Sequence, residues 1–152
     1  MRIQRVALRP LAADDIRMGL HDIRPLPAVL PGVTAVLARS SRAFARHTHD
    51  QFGIGVIEVG AQASASGRGP VWVQAGDVIT VNPGEVHDGV PVDDAGRVWR
   101  MMYFDPQVMV RLTGHEGEFA HPVLHAPEMA AAVRRLFRGV TEAGCALAAE
   151  ED

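Results

Sequence analysis

Residues 32–104 predict an all-β domain, a barrel or sandwich, and residues 105–152 predict two α-helices appended to it. Two observations carry this reading. Short runs rich in Val, Ile, Phe and Trp alternate with Gly, Pro, Asn and Asp turns, at a spacing of roughly 8–12 residues typical of antiparallel sandwiches and barrels. After Phe104 the apolar period lengthens to that of a helix. Strands gathered in one block before the helices fit an all-β core better than alternating strands and helices. A length of 152 residues and an apolar fraction of 47% suffice for one domain with a real core.

Residues 1–31 read as an irregular N-terminal arm, because Pro10, Pro25, Pro27 and Pro31 break any long helix or central strand. Strands are predicted at Val33–Ala38, Ala43–His49, Gln51–Val59, Pro70–Gln74, Val78–Val81, Val86–Val90 and Val98–Phe104. Turn residues stand between them: Gly60-Ala61, Ser66-Gly67-Arg68-Gly69, Ala75-Gly76-Asp77, Asn82-Pro83-Gly84 and Asp93-Asp94-Ala95-Gly96. Asp105 can cap a short helix with Pro106 at its first position, Val108, Met109 and Leu112 on its apolar side, and Gly114 at its end. A longer helix starts near Pro127-Glu128. Met129, Val133, Leu136, Phe137 and Val140 recur there at helical spacing, with Arg134, Arg135 and Arg138 on the other side. Gly139 and Gly144 weaken its far end, and Glu150-Glu151-Asp152 is expected to fray.

Composition removes several function classes. A net charge of −3 argues against a large phosphate-binding surface. All 15 cations are Arg, so neither a Schiff-base lysine nor a P-loop lysine exists. Cys145 is the single cysteine, which excludes an internal disulfide and a multi-thiolate zinc site and fits a reducing compartment. No apolar run reaches the roughly eighteen residues of a membrane span, and the opening MRIQRVALRPLAADD lacks the apolar stretch of a secretory signal. The expectation is a cytoplasmic protein without a membrane partner.

Two segments can carry chemistry. In His47-Thr48-His49 the imidazoles, two residues apart on a strand, project from one face and can meet a single ion. In Gly76-Asp77-Val78-Ile79-Thr80-Val81-Asn82-Pro83-Gly84-Glu85-Val86-His87, a tight turn, a short buried strand and a second turn lead to a third histidine. Together these resemble the two cupin motifs, with Gly76, Gly84 and His87 at the second motif's spacing. The chain departs from the pattern in three ways. Gly53 and Ile54 stand where metal-binding cupins place a glutamate, Pro91 stands where an asparagine often follows the last histidine, and the turn proline sits one place late.

A narrower resemblance covers about residues 30–140. His47-Thr48-His49-Asp50-Gln51-Phe52-Gly53-Ile54-Gly55-Val56, then Asn82-Pro83-Gly84-Glu85-Val86-His87-Asp88-Gly89, then Trp99-Arg100-Met101-Met102-Tyr103-Phe104-Asp105-Pro106 look like the sensor half of AraC-family transcription regulators. The resemblance implies a cupin-like barrel (a double-stranded β-helix or jelly roll) over residues 32–104, carrying the mobile arm of residues 1–31. Residues 105–152 would then be a helical dimerisation segment. It implies a small-molecule effector, a homodimer, and DNA contact only through a C-terminal helix-turn-helix domain that this chain does not contain. That leaves an isolated domain or a truncated chain. The arm is the natural two-position element, and its deletion is expected to leave the barrel folded while changing effector affinity.

The candidate ligand-binding residues are His47, His49, His87, Trp99, Met101 and Tyr103, and no catalytic residue is assigned. The three histidines can hold a divalent metal (Zn, Ni or Fe), although no cofactor is required, or they can hydrogen-bond around a pocket. Glu85 most simply closes its turn and Asp50 faces away from the histidines; Arg100 can pair with an acidic effector or stand in solvent. Either Trp99, Met101 and Tyr103 or Arg100, Met102 and Phe104 can line the hollow, and Trp72 reads as core. Three functions follow. The leading one is a non-catalytic effector sensor. The alternatives are a metal-dependent cupin enzyme (a dioxygenase or isomerase using three His ligands) and a ligand-free dimerisation module.

Overall fold

The computed structural model describes residues 21–150, with side chains through residue 142. Residues 1–20, the end of the chain and the side chain of Cys145 lie outside the described part. Ten strands and two helices follow in order: β1 (His21–Leu26), β2 (Val33–Ser40), β3 (Phe44–His47), β4 (Phe52–Val59), β5 (Ala61–Ser66), β6 (Gly69–Gln74), β7 (Val78–Val81), β8 (His87–Pro91), β9 (Arg97–Phe104), α1 (Pro106–Thr113), β10 (Val123–Leu124) and α2 (Pro127–Glu150). A six-stranded sheet ordered β1-β2-β9-β4-β7-β10 faces a four-stranded sheet ordered β3-β8-β5-β6. All the pairings are antiparallel. This is a jelly roll whose two ladders remain separate sheets rather than one closed ring of hydrogen bonds.

The large sheet has two apolar faces. Strand alternation sends Phe52 and Val56 of β4 and Met102 and Phe104 of β9 to one side, where they join Ala130, Val133, Phe137 and Val140 of α2 in the buried core. The opposite side of the same strands faces the small sheet. On β4 that side carries Gly53 and Gly55, because a Cβ on Gly55 would lie 2.1 Å from the Arg100 carbonyl oxygen and 2.6 Å from Met101 Sδ. Strand β9 can therefore press Met101 into the space that a side chain on β4 would fill.

Four elements depart from expectation, among them the two-residue strand β10, which pairs with β7 where no strand is predicted. Strand β1 lies within the segment read as an irregular arm, yet it pairs with β2 along its whole length, Pro25 opposite Val36. It is an edge strand, the position where a residue without an N–H is tolerated, so an arm deletion that spares the sheet must stop before His21. Strand β5 was not expected because its sequence, AQASAS, holds no β-branched or aromatic residue. Strand β3 ends at His47, two residues earlier than the predicted strand. Asp105 also differs in detail: α1 begins at Pro106 and ends at a left-handed Gly114, but the Asp105 side chain makes no capping bond and accepts one from Gln51 Nε2 instead. Among the described residues, no helix is long and apolar enough to cross a membrane.

Candidate functional site

The three histidines converge. His47 pairs with His87 across β3 and β8, and the Gly84 N–H donates to the His49 carbonyl at 2.8 Å, so the second turn is fastened beside the first motif. Gly84 makes this approach in a left-handed conformation, φ 74°, that other residues rarely adopt. One ligand-type nitrogen from each ring lies within 4.8 Å of the others, and the His47 and His49 rings stack at 5.3 Å. The pair meets even though His49 lies beyond the strand, so the same-face geometry expected of a regular strand is replaced by a short turn.

Backbone partners set the tautomers. His47 Nδ1 lies 2.7 Å from the Ala45 carbonyl and His87 Nδ1 lies 3.1 Å from that of Glu85. A carbonyl only accepts, so both Nδ1 atoms carry the proton and both Nε2 atoms are left with a lone pair. His49 Nε2 then donates to His87 Nε2 at 3.1 Å. Three imidazoles, two of them held by backbone carbonyls, fit the donor set of a zinc, nickel or iron ion, which would draw on the Nε2 lone pairs of His47 and His87 and would need His49 to give up its Nε2 proton. Glu85 does not complete the set. Its carboxylate accepts from the Asn82 N–H at 2.9 Å and from Arg68 at 3.0 and 3.1 Å, closing the turn. Asp50 is exposed and forms no ion pair among the described residues.

His49 and His87 are both held below the ordinary imidazole value of 6.5. Burial is the main cause for each; for His49 the neighbouring His87 and His47 add to it, and for His87 the Glu85 carbonyl works in the opposite direction. The sign follows from linkage. The unfolded chain takes up these protons first, so the contribution is complete above pH 6.5 and is lost as pH falls through the depressed folded-state values. Thermal melts from about pH 7.5 to about pH 5 should therefore show a fall in Tm, smaller in a His49→Gln/His87→Gln variant. Equal slopes in the two proteins would contradict this assignment.

A cavity of about 340 Å³ lies between the sheets, and His47 and His87 stand in its wall. The inner face of β9 supplies Arg97, Trp99, Met101 and Tyr103, all of which line it. That settles which alternating set faces the hollow. Arg100 points the other way: it pairs with Glu58 at 3.1 Å and lies 5.5 Å from the Phe137 ring centre, so it cannot meet a ligand in the cavity. Trp72, read as core, is 55% exposed on the edge strand β6, where no further strand covers it. The Tyr103 ring lies 5.0 Å from that of His49, and burial keeps its hydroxyl protonated to higher pH than usual.

Several wall residues had no signal in the residue pattern. Gln62, Ser64 and Ser66 on β5 present a polar alternation to the cavity that Ala-Ser composition disguised as a loop. Arg97 is 1% exposed, and burial lowers its pKa to about 10. Its guanidinium donates to the carbonyls of Ser40 and Arg42 at 3.1 and 2.9 Å and to Gln62 Oε1 at 2.6 Å. It lies 5.1 Å from the Phe44 ring centre and 4.8 Å from that of Trp99. A second hollow of about 780 Å³ lies between α1 and residues 115–119, lined by Phe52, Met109 and Phe119 among others.

A jelly roll with a lined cavity, two of three clustered histidines in its wall and His49 against them outside the lining, has the cupin fold. The Cnp3 cupin domain of Schizosaccharomyces pombe has this fold, with a TM-score of 0.54 at 10% identity over 72% of this chain and 82% of that one. So does Bacillus subtilis oxalate decarboxylase, in a structure solved in work on its Mn(II) centres, with a TM-score of 0.50 at 13% identity over 68% and 36%. At such identities the likeness establishes the fold alone. Residues 30–152 match the AraC-like ligand binding domain, and the chain belongs to that family. An uncharacterized HTH-type transcriptional regulator of Bacillus subtilis (strain 168), YbfI, is 28% identical over 114 residues; the match covers 71% of this chain and 42% of that protein.

Proposed function

We propose that the chain is the effector-binding and dimerisation domain of an AraC-type transcription regulator, acting in the cytoplasm. A small molecule held between the sheets would control DNA binding by a helix-turn-helix domain elsewhere in the regulator. The observation that carries this is the cavity itself, whose wall combines Trp99, Met101 and Tyr103 with His47 and His87 in a ligand-binding family. In this reading His49, which does not line the cavity, supports His87 from outside the wall, and none of these residues is catalytic. Met129 and Leu136, both exposed on α2, supply the apolar stripe for pairing two copies. The division into an arm (1–31), a barrel (32–104) and a helical segment (105–152) is retained as the working scheme, with β1 counted in the sheet.

A ligand at about 100 times its Kd adds about 2.7 kcal/mol to the folded state, or roughly 5–10 °C in Tm for a domain of this size. A thermal-shift screen of small molecules should therefore yield hits of that order. Val36→Phe, which enlarges a cavity-lining residue beside Met101, should remove most of the shift. Hits that survive Val36→Phe unchanged would overturn the assignment.

The alternative reading, a metal-dependent cupin enzyme, is favoured by one observation: a ring nitrogen from each of the three imidazoles lies within 4.8 Å of the others. Such an ion would supply Lewis-acid or redox chemistry beside the cavity wall formed by His47 and His87. The two readings separate in EDTA. A sensor keeps its ligand-induced shift there, and a metalloenzyme loses it.

A further inference from the structure

Strand β9 gives the cavity two unlike ends. Tyr103 and the histidines stand at one end, and Arg97, six residues away on the same strand face, stands at the other. Six residues of strand correspond to about 20 Å. Trp99 and Met101 make the wall between them.

The Arg97 end has an unusual charge balance. Its guanidinium is buried, yet among the described residues it pairs with no carboxylate. Its short bonds go to neutral oxygens, and Nη2 makes a single long contact, 3.5 Å to the Gly89 carbonyl. The two carboxylates in the cavity wall are engaged elsewhere: Glu85 with Arg68, and Asp88 with the Ala65 N–H at 2.6 Å and Arg46 at 3.8 Å. A buried cation without a counter-ion is costly, and the cost falls when an anion arrives.

Gln62 is the group that would present this charge to a ligand. A guanidinium has no acceptor, so only the amide oxygen can face it, and Arg97 pins Oε1 at 2.6 Å. The amide Nε2 is thereby committed as a donor; it has no acceptor among the described residues, and since no buried side-chain nitrogen or oxygen there lacks a partner, it is accessible rather than sealed in the core. Gly89 packs closely on this pair: a Cβ there would lie 3.2 Å from Gln62 Oε1, 3.4 Å from Arg97 Nη2 and 3.5 Å from Gln62 Nε2, so any larger residue at this position would crowd both groups.

We infer that the effector is a small organic anion with an apolar body, its carboxylate accepting from Gln62 Nε2 in the field of Arg97 and its body lying along Trp99 and Met101. This rests on the sensor reading above and names the ligand class of the same cavity.

The test is isothermal titration calorimetry with a panel of small carboxylic acids, each paired with its own primary amide; benzoate with benzamide and hexanoate with hexanamide are the simplest pairs. Acids should bind at least tenfold more tightly than their amides. Gln62→Glu is the informative variant. It gives Arg97 a carboxylate partner, so it should melt at or above the wild-type temperature while losing at least tenfold in affinity for the acids. Arg97→Ala is less useful because it strips the anchor of Ser40 and Arg42. Amides that bind as well as acids would overturn the anion inference and leave the sensor reading standing, as would acids that bind Gln62→Glu undiminished. Silence from every acid and amide would count against both.

Discussion

Replacing Phe137 with alanine is expected to destabilise the protein by about 3–5 kcal/mol. Phe137 is 1% exposed and sits where α2 meets the large sheet, among Val56, Met102 and Phe104. Truncation removes the ring's burial and leaves a void between a helix and a strand pair that cannot easily collapse. It also takes away the ring beneath the Arg100 guanidinium, in a network where Glu58 accepts from both Arg100 and Arg134. Urea unfolding should show a lower midpoint with an unchanged slope. A loss below about 1 kcal/mol would mean that α2 is not docked on the sheet as described.

Gly55→Ala should cost at least about 3 kcal/mol, the upper part of the overpacking range. The new Cβ would meet backbone, the Arg100 carbonyl oxygen at 2.1 Å, and a paired strand cannot move aside as a side chain can. The second clash, 2.6 Å to Met101 Sδ, would drive that side chain toward the cavity. Gly84→Ala is the control. Nothing lies within 4 Å of its Cβ, so only the left-handed backbone, φ 74°, opposes the change, and the cost should be about 1–2 kcal/mol. Gly55 has no positive φ, so a loss there no larger than at Gly84 would contradict the close packing of β4 on β9.

Much of this architecture was legible in the residues. Strand β7 matches its predicted span, and α1 starts at Pro106 and stops at Gly114 as their backbone preferences require. The histidine trio was legible because a His-x-His pair and a turn-glycine-to-histidine spacing are local patterns. What stayed hidden depended on contacts between distant segments. Alternation in β9 was plain, but both of its faces are apolar, and only the docking of α2 tells that Met102 faces the core and Met101 the cavity. Strand β5 carries no propensity signal; its pairing with β6 and β8 makes it a strand. Arg97 resembled any other arginine until burial between Phe44, Trp99 and Gln62 set it apart.

Methyl NMR of protein labelled at the methionine Cε positions bears most directly on where the effector sits. The probes are well distributed: Met101 lines the cavity between the sheets, Met109 lines the hollow beneath α1, and Met129 is exposed on α2. During titration with a hit from the thermal-shift screen, the Met101 methyl resonance should move in proportion to occupancy while those of Met109 and Met129 hold their positions. A still Met101 beside a moving Met109 would put the ligand under α1, and the inter-sheet site would have to be abandoned.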